Sequence, residues 1–495
     1  MVAALSCLAA NAPSAARRYR QSHERAIVDE FVALLAIPNV ARNLADMRRN
    51  ADHIVSMFQR RGIAMRLLEV KDGPPVIYGE LASPGARRTL FLYAHYDGQP
   101  VEPDRWVGAG PFQPLLRDGP LDAGGRPIAL PAPGRRFGPE WRLYARAAGD
   151  DKAPIIAWLA ALDALRAARI PLRANIKFFL DGEEEAGSPH LADVLGEHRD
   201  LLLGADVWIF CDGPVHQSRR QQVAFGARGT TGFQLTVYGA RRELHSGHYG
   251  NWAPNPADML ARLLTSMRDE EGRILIKGID EGIEPLGEAE RRALAAAPPY
   301  DAELKKELWL ARTEGGGKRL EELINLPALN IRGLASASVG RDSRNVIPSE
   351  ATASIELRLV KGMDYRRAMD RVVDHIRAQG YHVVESEPDA AARLRHRKIA
   401  RVERSSGYNA VRAPMGLPIA QKVIRAVREA RGEVILMPTL GGSLPLEPID
   451  KLLGAPVIIV PIANHDDNQH GHNENIRIRN LWDGIETMAA LFAMD

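Results

Sequence analysis

The sequence predicts an α/β protein in which a mainly parallel sheet forms one domain and a smaller α/β sandwich is inserted into it. Short, almost fully apolar runs alternate with helical segments, as in parallel sheets that helices cover on both faces. In the middle of the chain, strand-like runs alternate apolar and polar residues, as in antiparallel sheets with one exposed face. Acidic residues and histidines directly follow several of the apolar runs.

The chain length supports more than one domain. With 495 residues, the chain exceeds what one hydrophobic core usually organises. We expect residues 1–217 and 411–495 to form the domain with the parallel sheet. Residues 218–410 are expected to form the inserted lid and dimerisation domain.

Composition excludes several classes of protein. The 65 basic and 62 acidic residues leave a net charge of only +3, which gives no case for nucleic-acid binding. No apolar run approaches the roughly 20 residues that span a bilayer. The two cysteines, Cys7 and Cys211, allow neither a disulfide framework nor a CxxC zinc site. Residues 1–16 lack the basic start of a secretory signal, so we expect a cytoplasmic protein, with an exported form as the alternative.

Apolar spacing and helix-start signals place the elements of the first domain. Ile27, Phe31 and Leu34 recur at helical spacing, and Pro154 suits the first turn of a helix. The predicted elements, in chain order, are helical segments over 20–62, a strand at 89–94, a long surface insertion at 113–141, a helix at 154–168, and strands at 175–180, 206–211 and 457–461.

The middle of the chain predicts a different architecture. Residues 233–238 and 354–359 alternate in polarity, while residues 255–268 and 364–379 are amphipathic helices. Two helices on one face of an antiparallel sheet form an α/β sandwich.

Charged side chains follow the ends of the predicted parallel strands. His95, Glu183–Glu185, Asp212 and His470 lie at or just beyond such ends, and ligands of α/β sheets bind outside these ends. Buried carboxylates repel one another and are costly to desolvate. A cation is therefore expected among them, and the sequence indicates a metalloenzyme.

A pair of divalent metals fits these residue types. Two metals that share a carboxylate and a water lower the pKa of that water from ~15.7 toward ~7. Such a site needs a bridging aspartate, a histidine and a carboxylate for each metal, and a further carboxylate as base. Nitrogen and oxygen ligands favour zinc, with manganese or cobalt as alternatives. The residues that can supply these groups are His95, Asp150, Glu184, Glu185, Asp212 and His470.

The chain resembles the M20 family of metallopeptidases, in particular its carnosinase-like dipeptidase branch. The resemblance runs from about residue 25 to the end, and its blocks occur in the family's order. The matching blocks are HYDGQPVEP (95–103), DDK (150–152), EEEAGS (183–188), ELHSG (243–247), NVIP (345–348), RLV (358–360), GGSLP (441–445) and HGHNE (470–474).

The resemblance implies a role for each metal-site residue. His95 and Asp212 would hold one metal, Glu185 and His470 the other, and Asp150 would bridge them, with Asp151 as an alternative bridge. Asp97 would orient His95, and Glu184 would act as general base and then as acid toward the leaving amine. A solvated charge run is the alternative interpretation of residues 183–185.

The resemblance also implies groups that hold the substrate. His245 would reach across a homodimer to stabilise the oxyanion in the neighbouring subunit, unless it is an ordinary loop histidine. Asn345, Arg358, Gly442 and Ser443 would hold the substrate carboxylate and backbone. Arg358 could instead form a structural ion pair with Glu356.

The expected function is hydrolysis of the amide bond in dipeptides or short peptides that carry a free C-terminal carboxylate. One departure raises a second hypothesis. The dipeptidase branch usually carries Arg-Glu before GGS, where this chain has Thr439-Leu440. An aminoacylase or carboxypeptidase that acts on N-acyl or N-aroyl amino acids would need no acid there. A non-catalytic binding module is a third hypothesis, which the complete set of expected ligands disfavours.

Overall fold

The structure, a computed structural model, describes residues 11–495. The part of the N-terminal prediction that concerns residues 1–10, including Cys7, lies outside the described residues. Among the described residues, no helix combines the length and the apolar character needed to cross a bilayer.

Helices form where the sequence combines apolar spacing with polar caps. The Asn11, Asn255 and Asp364 side chains accept backbone N–H groups at the starts of the helices that directly follow them. In the described part of the chain the helices are α1 (Ala12–Leu35), α2 (Leu44–Gln59), α3 (Lys152–Ala167), α4 (Leu191–Glu197), α5 (Arg199–Leu202), α6 (Ser246–Tyr249), α7 (Pro256–Met267), α8 (Glu288–Ala296), α9 (Asp301–Glu307), α10 (Leu320–Leu323), α11 (Tyr365–Ala378), α12 (Ala390–Arg395), α13 (Pro418–Arg431), α14 (Leu446–Leu453) and α15 (Ile478–Phe492).

The strands form two large sheets and two small ones. They are β1 (Ala64–Leu68), β2 (Val76–Leu81), β3 (Thr89–His95), β4 (Leu115–Arg117), β5 (Arg142–Tyr144), β6 (Asn175–Asp181), β7 (Val207–Phe210), β8 (Gln222–Ala224), β9 (Gly226–Tyr238), β10 (Leu244–His245), β11 (Ala328–Ser336), β12 (Val346–Ile347), β13 (Glu350–Leu359), β14 (His382–Val384), β15 (Ile399–Arg404), β16 (Val411–Arg412), β17 (Ile435–Met437), β18 (Leu440–Ser443), β19 (Val457–Ile459) and β20 (Asn475–Arg477).

The first large sheet has the order β1-β2-β6-β3-β7-β19-β8-β17. Its central strands β6, β3, β7 and β19 run parallel to one another, and β1 and β2 are antiparallel to their neighbours. The central strands are almost completely buried, and helices α1, α3 and α15 pack together on one face. The carboxyl ends of β3, β6 and β7 therefore meet at one edge of the sheet.

The second large sheet has the order β11-β13-β9-β15-β14, in which neighbouring strands are antiparallel except for β14 and β15. Two short strands also pair with β9, β16 antiparallel and β18 parallel. Helices α7 and α11 pack against the sheet around their own hydrophobic core. This is the α/β sandwich that the alternating runs predict. Its strands β9, β11, β13, β14 and β15 lie within residues 218–410. The short strand β8 also lies in that range but pairs with the first sheet.

The predicted surface insertion at 113–141 is more ordered than its composition indicates. Its strand β4 pairs with β5, which also pairs with β20 near the C-terminus. Phe137 is buried and packs against Trp482. The segment thus joins the main core through scattered apolar residues that show no periodicity.

Candidate metal centre and active site

The predicted metal residues converge at the carboxyl edge of the first sheet. His95 ends β3, Glu184 and Glu185 form the turn after β6, and Asp212 follows β7. Asp150 comes from the turn before α3, and His470 comes from the loop between β19 and β20. The potential ligand atoms form two groups, and within each group all of these atoms lie within 4.8 Å of one another. One group is His95, Asp151 and Asp212, and the other is Asp150, Glu185 and His470.

Asp150 lies between the two histidines. Its Oδ1 is 2.8 Å from His95 Nε2, and its Oδ2 is 3.2 Å from His470 Nε2. His95 Nε2 is 3.7 Å from Asp212 Oδ2, and His470 Nε2 is 3.2 Å from Glu185 Oε2. The two oxygens of Asp150 therefore face two different sets of ligands, which is the arrangement of a bridging carboxylate.

Asp151 has a different environment. One of its oxygens accepts the backbone N–H of His95 at 3.3 Å, and the other has no partner although it is buried. Asp151 lies near His95 and Asp212. Of the two aspartates, only Asp150 contacts both histidines in the described ion pairs.

Asp97 contacts both His95 and the turn that carries Glu184 and Glu185. A carboxylate only accepts, so the 3.2 Å contact with Asp97 Oδ1 places the proton of a neutral His95 ring on Nδ1. The Nε2 lone pair then faces Asp150 and needs a cation or a second proton between them. Asp97 also accepts the backbone N–H groups of Glu184 and Glu185 at 3.1 Å each.

The charge balance of the cluster fits divalent cations. Burial, together with neighbouring carboxylates, raises the pKa of Glu184 well above its usual value, that of Glu185 to about 8 and that of Asp212 to about 7. Within residues 11–495, their only ion-pair partners are His95 and His470. The adjacent Lys152 side chain points away and donates to Asn50 and to backbone carbonyls. A cluster of carboxylates that no lysine or arginine neutralises in the described ion pairs fits cation ligands.

Three further side chains hold this cluster in place. Gln469 Nε2 donates to Asp150 Oδ2 at 2.6 Å, and Gln99 Nε2 donates to Glu185 Oε2 at 2.7 Å. Glu474 accepts the backbone N–H groups of Gly149 and Asp150 at 3.0 Å each. Sequence reasoning assigned no role to these residues, although Gln99 and Glu474 lie inside the matched blocks.

The charge-run interpretation of residues 183–185 is wrong for these side chains. Glu183 is buried and pairs with His190 at 3.0 Å. The Glu185 side chain is 5% exposed. Glu184 lines a cavity, and its carboxylate has no hydrogen-bond partner in the described part of the chain.

The cavity has a volume of about 440 Å³ and extends from the metal residues to the second sheet. Arg358 and Ser443 line it, and Arg358 Nη1 donates to Ser443 Oγ at 2.7 Å. Arg358 Nη2 also pairs with Glu356 Oε1 at 3.0 Å, so the structural ion pair forms as well. Gly442 and a second arginine, Arg228, line the same wall.

His245 and Asn345 lie elsewhere in this chain. His245 ends β10 and pairs in register with Val346 of β12, next to Asn345. Both side chains are exposed, and neither lines the cavity that contains Glu184. Within a single subunit, the structure does not bring these two predicted residues to the metal cluster.

Residues 91–494 match the model of peptidase family M20/M25/M40. The chain belongs to this family. It is 28% identical over 433 residues to the human Beta-Ala-His dipeptidase, covering 85% of this chain and 77% of that protein. It is 26% identical over 422 residues to the Cys-Gly metallodipeptidase DUG1 of Saccharomyces cerevisiae, covering 84% of this chain and 81% of that protein.

The fold agrees with that of a family member. The structure of the dipeptidase Dug1p from Saccharomyces cerevisiae superposes with a TM-score of 0.77 at 23% identity and covers 97% of this chain and 98% of that chain. The predicted fold class and the predicted M20 membership are therefore confirmed. The chain is a peptidase of this family, and the named relatives favour peptide hydrolysis over the aminoacylase alternative.

Proposed function

We propose that this protein is a dipeptidase that uses two divalent metal ions. The observation that carries the proposal is Asp150, whose two oxygens face His95 and His470 on opposite sides. The names of the relatives point to dipeptides such as β-alanyl-histidine and cysteinyl-glycine as the first substrates to test.

The ligand set divides into two triads around Asp150. His95 and Asp212 would hold one ion, Glu185 and His470 the other, and Asp150 would contact both. When bound, such ions polarise the scissile carbonyl and acidify a water molecule. Nitrogen and oxygen donors favour zinc, with manganese or cobalt as alternatives.

Glu184 is placed to move protons. Asp97 accepts the backbone N–H of Glu184, while the Glu184 carboxylate faces the cavity without a hydrogen-bond partner among the described residues. It would take a proton from the attacking water and deliver it to the leaving amine. Asp97 would keep the His95 ring in the orientation that exposes Nε2.

The opposite end of the cavity suits the substrate carboxylate. Arg358, Ser443 and the backbone at Gly442 line it, and Arg228 adds a second guanidinium. A guanidinium pairs with a carboxylate through two parallel hydrogen bonds. We assign the free C-terminal carboxylate of the substrate to this end.

His245 and Asn345 complete the site only if a second subunit supplies them. Both are exposed and lie outside the cavity of their own chain. The strand β11 forms an edge of the second sheet and exposes Ile331 and Leu334, which suits contact with a second copy. We therefore propose a homodimer formed through residues 218–410. The cytoplasmic location stays a prediction, which cell fractionation would check.

The experiment that tests the proposed function is a hydrolysis assay of the metal-free protein with zinc, manganese or cobalt added. We expect metal-dependent cleavage of dipeptides and slow cleavage of N-acyl amino acids. Cleavage of N-acyl amino acids alone would overturn the dipeptidase assignment, and dipeptide cleavage without metal would overturn the mechanism.

A further inference from the structure

A buried glutamate faces the active-site cavity from outside the metal cluster. Glu321 lies on α10 and is only 2% exposed, yet it lines the same cavity as Asp150 and Glu184. Its Oε1 is 3.0 Å from His216 Nε2. Its Oε2 is buried and has no hydrogen-bond partner among residues 11–495. A buried carboxylate oxygen without a partner costs free energy, so a ligand group that donates a hydrogen bond to this oxygen is expected to bind well.

The carboxyl of Glu321 favours its ionised form although it is buried. The backbone N–H of Ser218 donates to His216 Nδ1 at 3.1 Å, which leaves the proton of a neutral ring on Nε2 for Glu321. Burial opposes ionisation of Glu321, but the hydrogen bond from His216, a backbone hydrogen bond and the nearby positive charges of His216 and Arg319 together outweigh burial and lower the pKa of this carboxyl. No lysine or arginine pairs with Glu321 in the described ion pairs. The cavity is therefore lined by an ionised carboxylate here.

The other residues of the cavity lining leave Glu321 as the acid available to a substrate cation. Leu440 is buried and lines the same cavity, so the wall is apolar at this point. Arg228 and Arg358 supply the positive charge of the cavity. Glu321 is the lining acid that is neither among the metal residues nor their base.

We propose that Glu321 receives a cationic group of the substrate on the amine side of the scissile bond. The assignment rests on the proposed dipeptidase function. The cation has two sources, the α-ammonium group of the dipeptide or a basic side chain on its first residue. Both would place an N–H donor against the free Oε2.

The test compares matched substrates in wild type and Glu321→Gln, whose amide oxygen still accepts from His216. Alanyl-alanine is compared with propanoyl-alanine, which lacks only the amine, and lysyl-alanine with norleucyl-alanine, which lacks only the side-chain amine. An α-ammonium contact predicts that kcat/KM falls about 10- to 100-fold for all three dipeptides, largely through KM, with propanoyl-alanine unchanged. A side-chain contact predicts this loss for lysyl-alanine alone.

Two further variants separate binding from folding. Glu322→Gln removes the same charge from the same helix at an exposed position and should leave all rates unchanged. Leu440→Glu in the Glu321→Gln background should recover part of the lost preference for the cationic substrates.

Equal loss on propanoyl-alanine and on the three dipeptides would show a structural role and overturn the assignment, as would no loss at all. If the wild type cleaves none of the dipeptides, the proposed function fails instead.

Discussion

The backbone N–H of Asp150 donates to Glu474 Oε1 at 3.0 Å, across 324 positions of the chain. The same carboxylate accepts Gly149 at 3.0 Å, and its other oxygen accepts Ala147 at 3.0 Å and Arg146 Nη1 at 2.8 Å. Glu474 therefore fixes the turn from which the proposed bridging carboxylate projects.

Glu474→Gln should weaken metal binding. The amide cannot accept from all four donors, and Arg146 loses its buried ion-pair partner. We expect metal affinity to fall about 10- to 100-fold and the free energy of unfolding to fall on the order of 3 kcal/mol. Competition with a chelating dye and denaturant unfolding measure these effects. Glu429→Gln, on the exposed face of α13, is the matched control. Unchanged metal affinity would refute the role of Glu474.

Asp150→Asn and Asp151→Asn should differ, although the two residues are adjacent. Asp150 contacts both histidines, whereas Asp151 accepts a backbone N–H that an asparagine oxygen can also accept. We expect Asp150→Asn to lose tight binding of at least one ion and Asp151→Asn to retain two. Isothermal titration with zinc gives both stoichiometries. The reverse result would make Asp151 the bridge.

Glu184→Ala should remove catalysis while leaving the metals bound. Glu184 contacts no ligand side chain in the described hydrogen bonds, and only its backbone is held by Asp97. Loss of the proposed base predicts a kcat lower by about 10²- to 10⁴-fold. Steady-state kinetics and metal content on the same sample check this. A variant with most of its activity would mean that another group takes the proton.

A mixture of two inactive variants should recover activity if the site is shared. In a dimer of Glu184→Ala and His245→Ala chains, the site with an intact Glu184 receives the intact His245 of the other chain. We expect each variant alone to be nearly inactive, and co-refolded mixtures to regain up to about a quarter of wild-type activity on a statistical mixture of dimers. Activity of His245→Ala close to wild type, or no recovery on mixing, would contradict the shared site.

Asp466 should make the free energy of unfolding depend on pH in the acidic range. Burial opposes its ionisation, but Arg142 and Arg477 outweigh burial and lower the pKa of Asp466 below its usual value. Since the folded pKa lies below the unfolded one, the stabilisation is complete above about pH 4 and is lost as the pH falls further. Asp466→Asn should therefore be less stable than wild type at pH 7, and the gap should narrow below pH 4. Urea unfolding with chelator at each pH tests this, and a constant gap would refute it.

The sequence predicted the strands that carry the metal residues because parallel strands are buried on both faces. Residues 89–94 and 175–180 are nearly continuous apolar runs, and the structure has β3 and β6 there. The polar residues that follow such runs must meet at one edge, so His95, Glu185 and Asp212 could be grouped without coordinates.

The remaining site residues could not be grouped in this way. Glu321 lies in a charged segment without apolar periodicity, and its contact with His216 joins positions 105 residues apart in the chain. His216 and Gln469 come from loops whose paths no local pattern determines. Glu474 could have been identified from the sequence, because it lies in a matched block four residues after His470. Its four hydrogen-bond donors, however, are visible only in the folded turn.

The most direct test of the two-metal site is a crystal structure of the manganese- or zinc-loaded enzyme, with anomalous scattering recorded at the metal edge. We predict two peaks, one between His95 and Asp212 and one between Glu185 and His470, with one oxygen of Asp150 on each. A single peak, or a pair of peaks joined by a residue other than Asp150, would contradict the central claim.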